Sequence, residues 1–332
     1  MRARRSTRTC LVVGQKPDPH IVALEAELAD RGVSVTTIDS MPLNRQQEWI
    51  TFFASMNGTG IRFGDGRSIV DGREVDVVFW RVKAPLFGLA FDDPQRFDFD
   101  FAYREMRKLI EGLHAAVSHA QWINAYPAHT LAGNKLYQLA TATRVGFQIP
   151  RTVISNRADD VLPLFESGEV IYKTLSGPHQ QRDQLILTTK ISKQVFEERR
   201  ETIATAPCLF QNFVAKAYEV RATVIGETIV ALRIDSQRHQ HTTVDWRADQ
   251  LRRDLYDPIK LPKVVEARVI DFMRAMGLTY GAMDLIVTPA GETVFLEVNP
   301  GGQWLWLEKL TGTPITAAIA DYIAEGVVEP CH

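Results

Sequence analysis

The run Thr-Val-Phe-Leu-Glu-Val-Asn-Pro-Gly-Gly at 293–302 constrains the fold more than any other stretch. Its alternation reads as a β-strand, in which successive side chains point to opposite faces. Val294, Leu296 and Val298 are then expected in a core, with Phe295, Glu297 and Asn299 on the other face. Pro300 ends the ladder because it has no N–H to donate. Glu297 and Asn299 thus lie side by side at a strand end. A carboxylate next to an amide oxygen suits a hard, oxygen-seeking cation such as magnesium. A second apolar run at 281–287 contains one charge, Asp284, and the Pro-Ala-Gly-Glu turn at 289–292 joins the two runs as a hairpin. That hairpin brings Asp284 toward Glu297. Either acid alone reads most simply as a solvated strand end. Two acids on adjacent apolar strands, however, repel unless a cation or proton intervenes. Asp284, Glu297 and Asn299 are therefore the expected metal ligands.

The chain has 332 residues, 45% hydrophobic and 23% charged, which is material for two or three domains. A net charge of -2 offers no global field for nucleic acid or a membrane surface. Arg2, Arg4, Arg5 and Arg8 precede an apolar run at 10–13 that is only strand-length and is broken by Gly-Gln-Lys-Pro-Asp. This reads as a basic tail rather than a secretory signal, so a cytoplasmic protein without a membrane span is expected. Cys10, Cys208 and Cys331 are too scattered for a disulfide framework or a zinc site. The sequence has no Walker-type phosphate loop, no HExxH or GxSxG pattern and no kinase signature.

Taken in order, strands at 9–13 and 33–38 flank a helix at 19–31, a βαβ opening on a parallel sheet. A hairpin is expected within 57–72. A buried strand at 75–82 carries Arg81, either a solvated strand end or a contact to a bound anion or peptide. A long helix follows at 97–119. A helix at 132–145 begins with Lys135 beside Asn134 and puts Leu136, Leu139, Ala140 and Thr143 on one face. A strand at 168–177 carries Lys173 near its end, and the polar 176–183 has the composition of a mobile loop. Paired strands at 218–224 and 228–235 carry Arg221 and Arg233. A charged, aromatic segment at 242–256 has Trp246 and Arg247 at its start, and helices follow at 263–276 and 316–324. Each cation alone is most simply a solvated end. Together with an oxygen-ligand cluster they form the set that a polyphosphate with magnesium requires. Closure of 176–183 over the phosphates would exclude water.

The order and wording of these motifs resemble an ATP-grasp ligase, in particular the microviridin-type (graspetide) peptide ligases, which cyclise ribosomally made peptides through ester or amide bonds. The resemblance rests on Asn-Lys-Leu-Tyr-Gln-Leu-Ala at 134–140, Gly-Phe-Gln-Ile-Pro-Arg-Thr at 146–152 and Ile-Tyr-Lys at 171–173. It continues through Gln-Asn-Phe-Val-Ala-Lys-Ala-Tyr-Glu-Val-Arg at 211–221, Met-Asp at 283–284 and Glu-Val-Asn-Pro-Gly-Gly-Gln-Trp at 297–304. It covers 122 to the C-terminus closely, and earlier residues mainly in the βαβ opening and Phe-Trp-Arg at 79–81.

The resemblance implies an α/β (α+β) ATP-grasp fold: an N-terminal βαβ pre-ATP-grasp domain (1–123), a central lid domain (124–208) and a C-terminal ATP-grasp domain with the metal site (209–332). It implies ATP and Mg2+ as cofactors. Lys135 and Lys173 would contact the nucleotide phosphates. Gln211, Asn212, Phe213 and Val214 would form the hinge that stacks on adenine and reads it through backbone groups, and Glu219 would hold the ribose hydroxyls. Gln211 stands where many relatives carry Glu, a change of little weight if backbone groups do the reading. Arg221 and Arg233 would face the transferred phosphate and acyl phosphate, with Asp284, Glu297 and Asn299 on magnesium. The implied activity is phosphorylation of a peptide side-chain carboxylate, then attack by a hydroxyl or amine of the same peptide. The implied partners are a precursor peptide with leader and core, and a second copy of the chain in a homodimer, with no nucleic acid and no membrane. The leader's candidate docking regions are 176–183 and 245–254. His239 and His241 flank the latter and read as exposed turn histidines. Two other readings remain open. One is a ligase that adds a free amino acid such as glutamate to a peptide or protein terminus. The other is a non-catalytic ATP-binding chaperone or regulator, which the full set of phosphate and metal residues argues against.

Overall fold

The computed structural model describes residues 7–40, 49–56, 58–64, 69–82, 96–175, 179–181, 184–186 and 188–326. The βαβ opening is present as strand Thr9–Gly14, helix Pro19–Asp30 and strand Ser34–Asp39. Asp18 caps the helix by accepting the His20 N–H, and Pro19 sits in the first turn, where its missing N–H costs nothing. Strands Val77–Arg81 and Gln121–Ile123 complete a parallel sheet in which Thr9–Gly14 lies between Ser34–Asp39 and Val77–Arg81. Cys10 and Val12 enter one core, Leu11 and Val13 another. A strand buried on both faces needs such an unbroken apolar run. The hairpin expected at 57–72 belongs to a three-stranded antiparallel sheet, because Trp49–Ser55 adds a strand beside Gly58–Gly64 and Ile69–Asp71.

A central antiparallel sheet contains Thr152–Ser155, Val170–Lys173, Thr189–Ile191 and Cys208–Asn212. Helices Ala158–Ser167 and Lys193–Glu198 cover one face, burying Val161, Leu164, Phe196 and Phe210. Strand Cys208–Asn212 pairs with Thr152–Ser155 and Val170–Lys173, so this sheet runs past the expected boundary at 208. The helix expected at 132–145 is Lys135–Arg144, and a separate, unexpected helix, Tyr126–Ala132, precedes it. Asn134 begins the later helix by accepting the N–H groups of Leu136 and Tyr137. Its buried face is Gln138, Leu139, Thr141 and Ala142, and Leu136, Ala140 and Thr143 are not on it. Ala132, Leu139 and Ala142 join the core of the last sheet rather than the central one.

That last sheet has five antiparallel strands in the order Tyr256–Ile259, Thr228–Ile234, Tyr218–Ile225, Tyr280–Val287, Thr293–Asn299. Helix Lys263–Met276 packs Val265, Val269, Phe272, Met273 and Met276 on one face. Gly277, at φ +67°, ends it in the left-handed conformation that glycine tolerates. Asp284 pairs with Glu297 but Leu285 pairs with Phe295, which leaves Leu296 as the extra residue of a β-bulge. The bulge breaks the expected alternation. Phe295 enters the same core as Val298, while Leu296 turns to line a cleft beside Glu297. Among the described residues, no helix is long and apolar enough to cross a membrane.

Candidate functional site

The cleft of ≈ 570 Å³ between the central and C-terminal sheets is lined by Ile171, Lys173, Asn212, Phe213, Val214, Lys216, Glu219, Asp245, Arg247, Asp284 and Glu297, with Pro150, Ile286 and Leu296 among its apolar walls. Cross-strand pairing puts Asp284 directly opposite Glu297, as the hairpin reading expected. Arg221 donates to both oxygens of Asp284, at 2.9 and 3.0 Å, and both residues are buried. Burial pushes the Asp284 carboxyl above its usual range, against the pull of Arg221, and the nearby charge of Glu297 pushes it further. Burial also opposes the charge on Glu297, but Lys173, Arg247, Lys135 and Arg221 together hold its carboxyl below the usual range.

Lys173 ends its strand inside the cleft. Burial lowers its ammonium pKa and the charge of Glu297 offsets part of that shift. Lys135 donates to the Thr174 carbonyl at 2.6 Å, and burial lowers its pKa in the same way. Glu219 is buried against the Lys216 ammonium at 2.6 Å. Burial raises the Glu219 carboxyl, with Lys216 acting against it. The Lys216 ammonium also donates to the Val244 carbonyl, at 3.1 Å.

The hinge has one open backbone donor. Asn212 N–H donates to Arg151 O and Phe213 N–H to Glu169 O. Among the described residues the Val214 N–H has no partner. The Asn212 side chain turns away from the cleft to Leu164 O and Ser167. Gln211 is buried on the strand face it shares with Ile171; its Nε2 donates to Thr152 Oγ1 at 2.9 Å, and among the described residues its Oε1 has no partner. Phe213 lines the cleft with the Lys190 ammonium 3.8 Å from its ring centroid.

Arg233 does not join this group. It pairs across the ladder with Val220, whose side chain lies in the core beneath helix Lys263–Met276, whereas Arg221 and Asp284 occupy the opposite face. Its guanidinium lies over the Tyr218 ring at 4.1 Å and pairs with Asp235 at 2.6 Å. The cause is register: Arg221 and Arg233 are both odd-numbered, but the turn between their strands places them on opposite faces. Asn299 pairs with Ala282 at the exposed end of the hairpin, and its Oδ1 accepts the Gly301 N–H at 3.0 Å. Among the described residues no three His, Cys, Asp or Glu side chains form a metal cluster.

Sequence reasoning missed two cleft residues, Lys216 and Arg247. Arg247 lies on a short turn whose backbone N–H, Nε and Nη2 all reach Asp245, at 3.0, 2.8 and 2.7 Å. Its Nη1 stands 3.7 Å from Glu297. An Asp-Trp-Arg triplet in an otherwise polar segment was the available signal. The head of the proposed docking stretch 245–254 therefore faces the cleft. His239 and His241 stack at a centroid distance of 6.0 Å and pair with Asp254 and Asp249, respectively. Of 176–183, only His179–Gln181 is described, paired as a strand with Gln184–Ile186; the rest of that call lies outside the described residues. Arg81 is not a solvated end, and among the described residues its buried Nη2 has no hydrogen-bond partner. It is buried, with Nε on Asp18 at 2.8 Å, Nη1 on Gly302 O at 3.3 Å and its guanidinium 4.6 Å from the Trp304 ring centroid.

A sequence profile of the RimK-like ATP-grasp domain matches residues 132–323. The chain belongs to the RimK-like ATP-grasp family. In this ATP-grasp protein the matched span contains both lysines, the hinge and the acid pair. Among solved structures, a RiPP-associated ATP-grasp ligase of Chryseobacterium gregarium, in complex with ADP and a leader and core peptide, superposes with TM-score 0.84 at 22% identity, over 96% of this chain and 97% of that one. The macrocyclase MdnC of Microcystis aeruginosa, bound with the precursor peptide MdnA, superposes with TM-score 0.80 at 27% identity, over 96% and 100%. A probable alpha-L-glutamate ligase of a Picosynechococcus species is 26% identical over 205 residues, 60% of this ATP-grasp chain and 66% of that relative. The chain thus spans about 66% of the length of such curated relatives.

Proposed function

We propose that this protein is an ATP-dependent ligase that activates Asp or Glu side chains of a ribosomally made precursor peptide as acyl phosphates and closes intramolecular ester or amide crosslinks. The observation that carries this reading is the likeness to a precursor-bound macrocyclase along 96% of the chain, including the N-terminal sheet. The match to the glutamate ligases, by contrast, covers 60%.

The cleft's donors fit a magnesium nucleotide. Buried Gln211 Oε1 and Arg221 Nε lack partners, as an acceptor awaiting an amine and a donor awaiting an anion would. The two carboxylates supply hard oxygen ligands. Asp284 and Glu297, with Asn299 at the strand end, would hold Mg2+, which would neutralise phosphate charge. Phe213 and Val214 would hold adenine against Ile171, Ile286 and Leu296, with the Val214 N–H as donor, and Glu219 would accept from the ribose hydroxyls. Lys173 and Lys135 would hold phosphate oxygens. Arg221, held by Asp284, would present its open Nε to the reacting group. The peptide carboxylate attacks the terminal phosphorus of ATP and displaces ADP; a peptide hydroxyl or amine then attacks the acyl carbon, losing its proton and releasing phosphate. No covalent enzyme nucleophile is needed, since positioning and charge stabilisation suffice.

The glutamate-ligase relatives favour a second reading, addition of a free amino acid to a peptide end. Incubation with Mg-ATP, glutamate and the peptide encoded beside the gene separates the two by intact mass. Loss of one or more waters, absent in Lys173→Ala and Glu297→Gln, supports crosslinking. Gain of an amino-acid residue mass supports the second reading. ATP binding with no change in peptide mass favours a non-catalytic role.

A further inference from the structure

Five cations stand around four acids in and beside the cleft. Glu219 has Lys216, Asp284 has Arg221 and Asp245 has Arg247 as direct hydrogen-bonded partners. Among the described residues Glu297 has no such partner, yet Lys173, Arg247 and Lys135 all act on its charge. The surplus is positive and surrounds the acid pair. A divalent cation there would enlarge it, and so the arrangement suits a polyphosphate.

Arg247, like Lys216 and Lys135, is held without reference to the acid pair, but its guanidinium has a second edge turned toward Glu297. Asp245 is buried and occupies the Nε and Nη2 edge of the guanidinium. The turn between them is fastened by Trp246, which is buried and stacks on Trp306 at a centroid distance of 5.4 Å and 25°. With that edge clamped, the planar fork can rotate little, and its Nη1 is left facing the acid pair. The 3.7 Å separation from Glu297 exceeds a hydrogen bond, so Nη1 is oriented but not committed. The clamp joins residues two apart on one turn and ties no distant elements together. A structural salt bridge would not need its open side turned into a cleft.

Resting on the nucleotide reading of the cleft, we propose that Arg247 is a catalytic residue that donates to the oxygens of the transferred phosphoryl group, in the role that the family resemblance implied for Arg233. Asp245 and Trp246 are its positioning residues.

The test compares binding of Mg-AMPPNP and Mg-ADP to wild type, Arg247→Ala, Arg247→Lys and Arg233→Ala by calorimetry, and needs no peptide. Loss of a charge-assisted contact made only to the terminal phosphate should weaken Mg-AMPPNP about tenfold or more in Arg247→Ala, with Mg-ADP changed by less than about twofold. Arg247→Lys keeps the charge without the fork and guards against misfolding of the alanine variant; it should show an intermediate loss. Arg233→Ala should bind both nucleotides as wild type does. Equal weakening of both nucleotides by Arg247→Ala, no change in either, or the same selective loss in Arg233→Ala overturns the assignment. If wild type binds neither nucleotide, the nucleotide reading falls and the assignment with it. If wild type binds Mg-AMPPNP through Arg247 but modifies no peptide, the arginine assignment stands and the ligase reading fails.

Discussion

At Lys173 and Lys135, burial works against the ammonium while Glu297 works for it, and burial wins at both. A lysine must be protonated to hold phosphate. With the pKa lowered, that proton is lost at a lower pH than the ordinary value of about 10.4. Mg-ATP affinity should therefore fall on the alkaline side earlier than unperturbed lysines allow. Lys173→Arg, whose group stays charged, should move that fall to higher pH in a titration of binding against pH. Identical profiles for the two proteins would count against Lys173 as a phosphate ligand. His129 shows the same physics in stability. Burial lowers its imidazole to about 4, and Arg107 adds to the shift. The unfolded chain takes up the proton near pH 6.5 and the folded chain does not. Stability is therefore full above that pH and falls as the pH drops toward 4, by on the order of 3 kcal/mol. His129→Gln should flatten that part of a urea-denaturation series against pH. Single residues were also where sequence reading was weakest. Lys173, Glu219, Asp284 and Glu297 meet in one cleft because each ends or lines a strand with an apolar neighbour pattern. Arg233 looked equivalent to Arg221, but which face a residue takes depends on the length of the turn between strands. Arg247 lies on a turn with no period at all, so nothing in its spacing pointed inward.

The Tyr280–Val287 and Thr293–Asn299 hairpin shows the same division at the scale of an element. Its pairing of Asp284 with Glu297 was legible because the turn is short and carries Pro and Gly. Its bulge was not, because an extra residue leaves a period-two pattern looking intact, and so Leu296 and Phe295 exchanged faces. The Gly-Gly that follows has a concrete reason at its second position. A Cβ on Gly302 would stand 2.4 Å from the Ala282 Cβ and 3.2 Å from Arg221 Nη2. Gly302→Ala should cost about 1–3 kcal/mol by overpacking and displace Arg221, reducing peptide turnover. Wild-type stability in that variant would show that the turn can yield. The helix carrying Lys135 depends on its cap in a milder way. Asn134→Ala removes the acceptor for Leu136 and Tyr137 N–H and should cost about 1 kcal/mol in thermal or urea unfolding, with Mg-ATP affinity reduced as Lys135 loses its fixed start.

Across the whole molecule, the first sheet holds the last hairpin in place. Trp304 N–H donates to His20 Nε2 at 3.2 Å, and the His20 Nδ1–H donates to Asp18 at 2.7 Å. Asp18 in turn holds Arg81, which reaches Gly302 O. Asn124 at the end of the first sheet donates to Tyr280 O and Pro300 O, at 2.8 and 3.0 Å. This chain of buried contacts runs from the βαβ opening to the turn beyond the acid pair. Arg81→Ala removes a buried guanidinium that holds half-buried Asp18 and the Gly302 carbonyl, and should cost about 1.5–3 kcal/mol, read in urea unfolding. The βαβ opening and the C-terminal hairpin were visible in the sequence, but where the helices between them pack was not. Tyr126–Ala132 and Lys135–Arg144 follow the first sheet in the chain yet pack on the last one, because amphipathic helices show that a face is buried without showing against what. In the proposed reaction the cleft activates a peptide carboxylate by phosphorylating it. A precursor peptide carrying 18O in its Asp and Glu carboxylates, turned over with Mg-ATP, tests this most directly. One labelled oxygen should appear in the released phosphate for each crosslink formed, because the carboxylate oxygen that attacks phosphorus leaves with it. Crosslinked peptide with unlabelled phosphate would contradict the account.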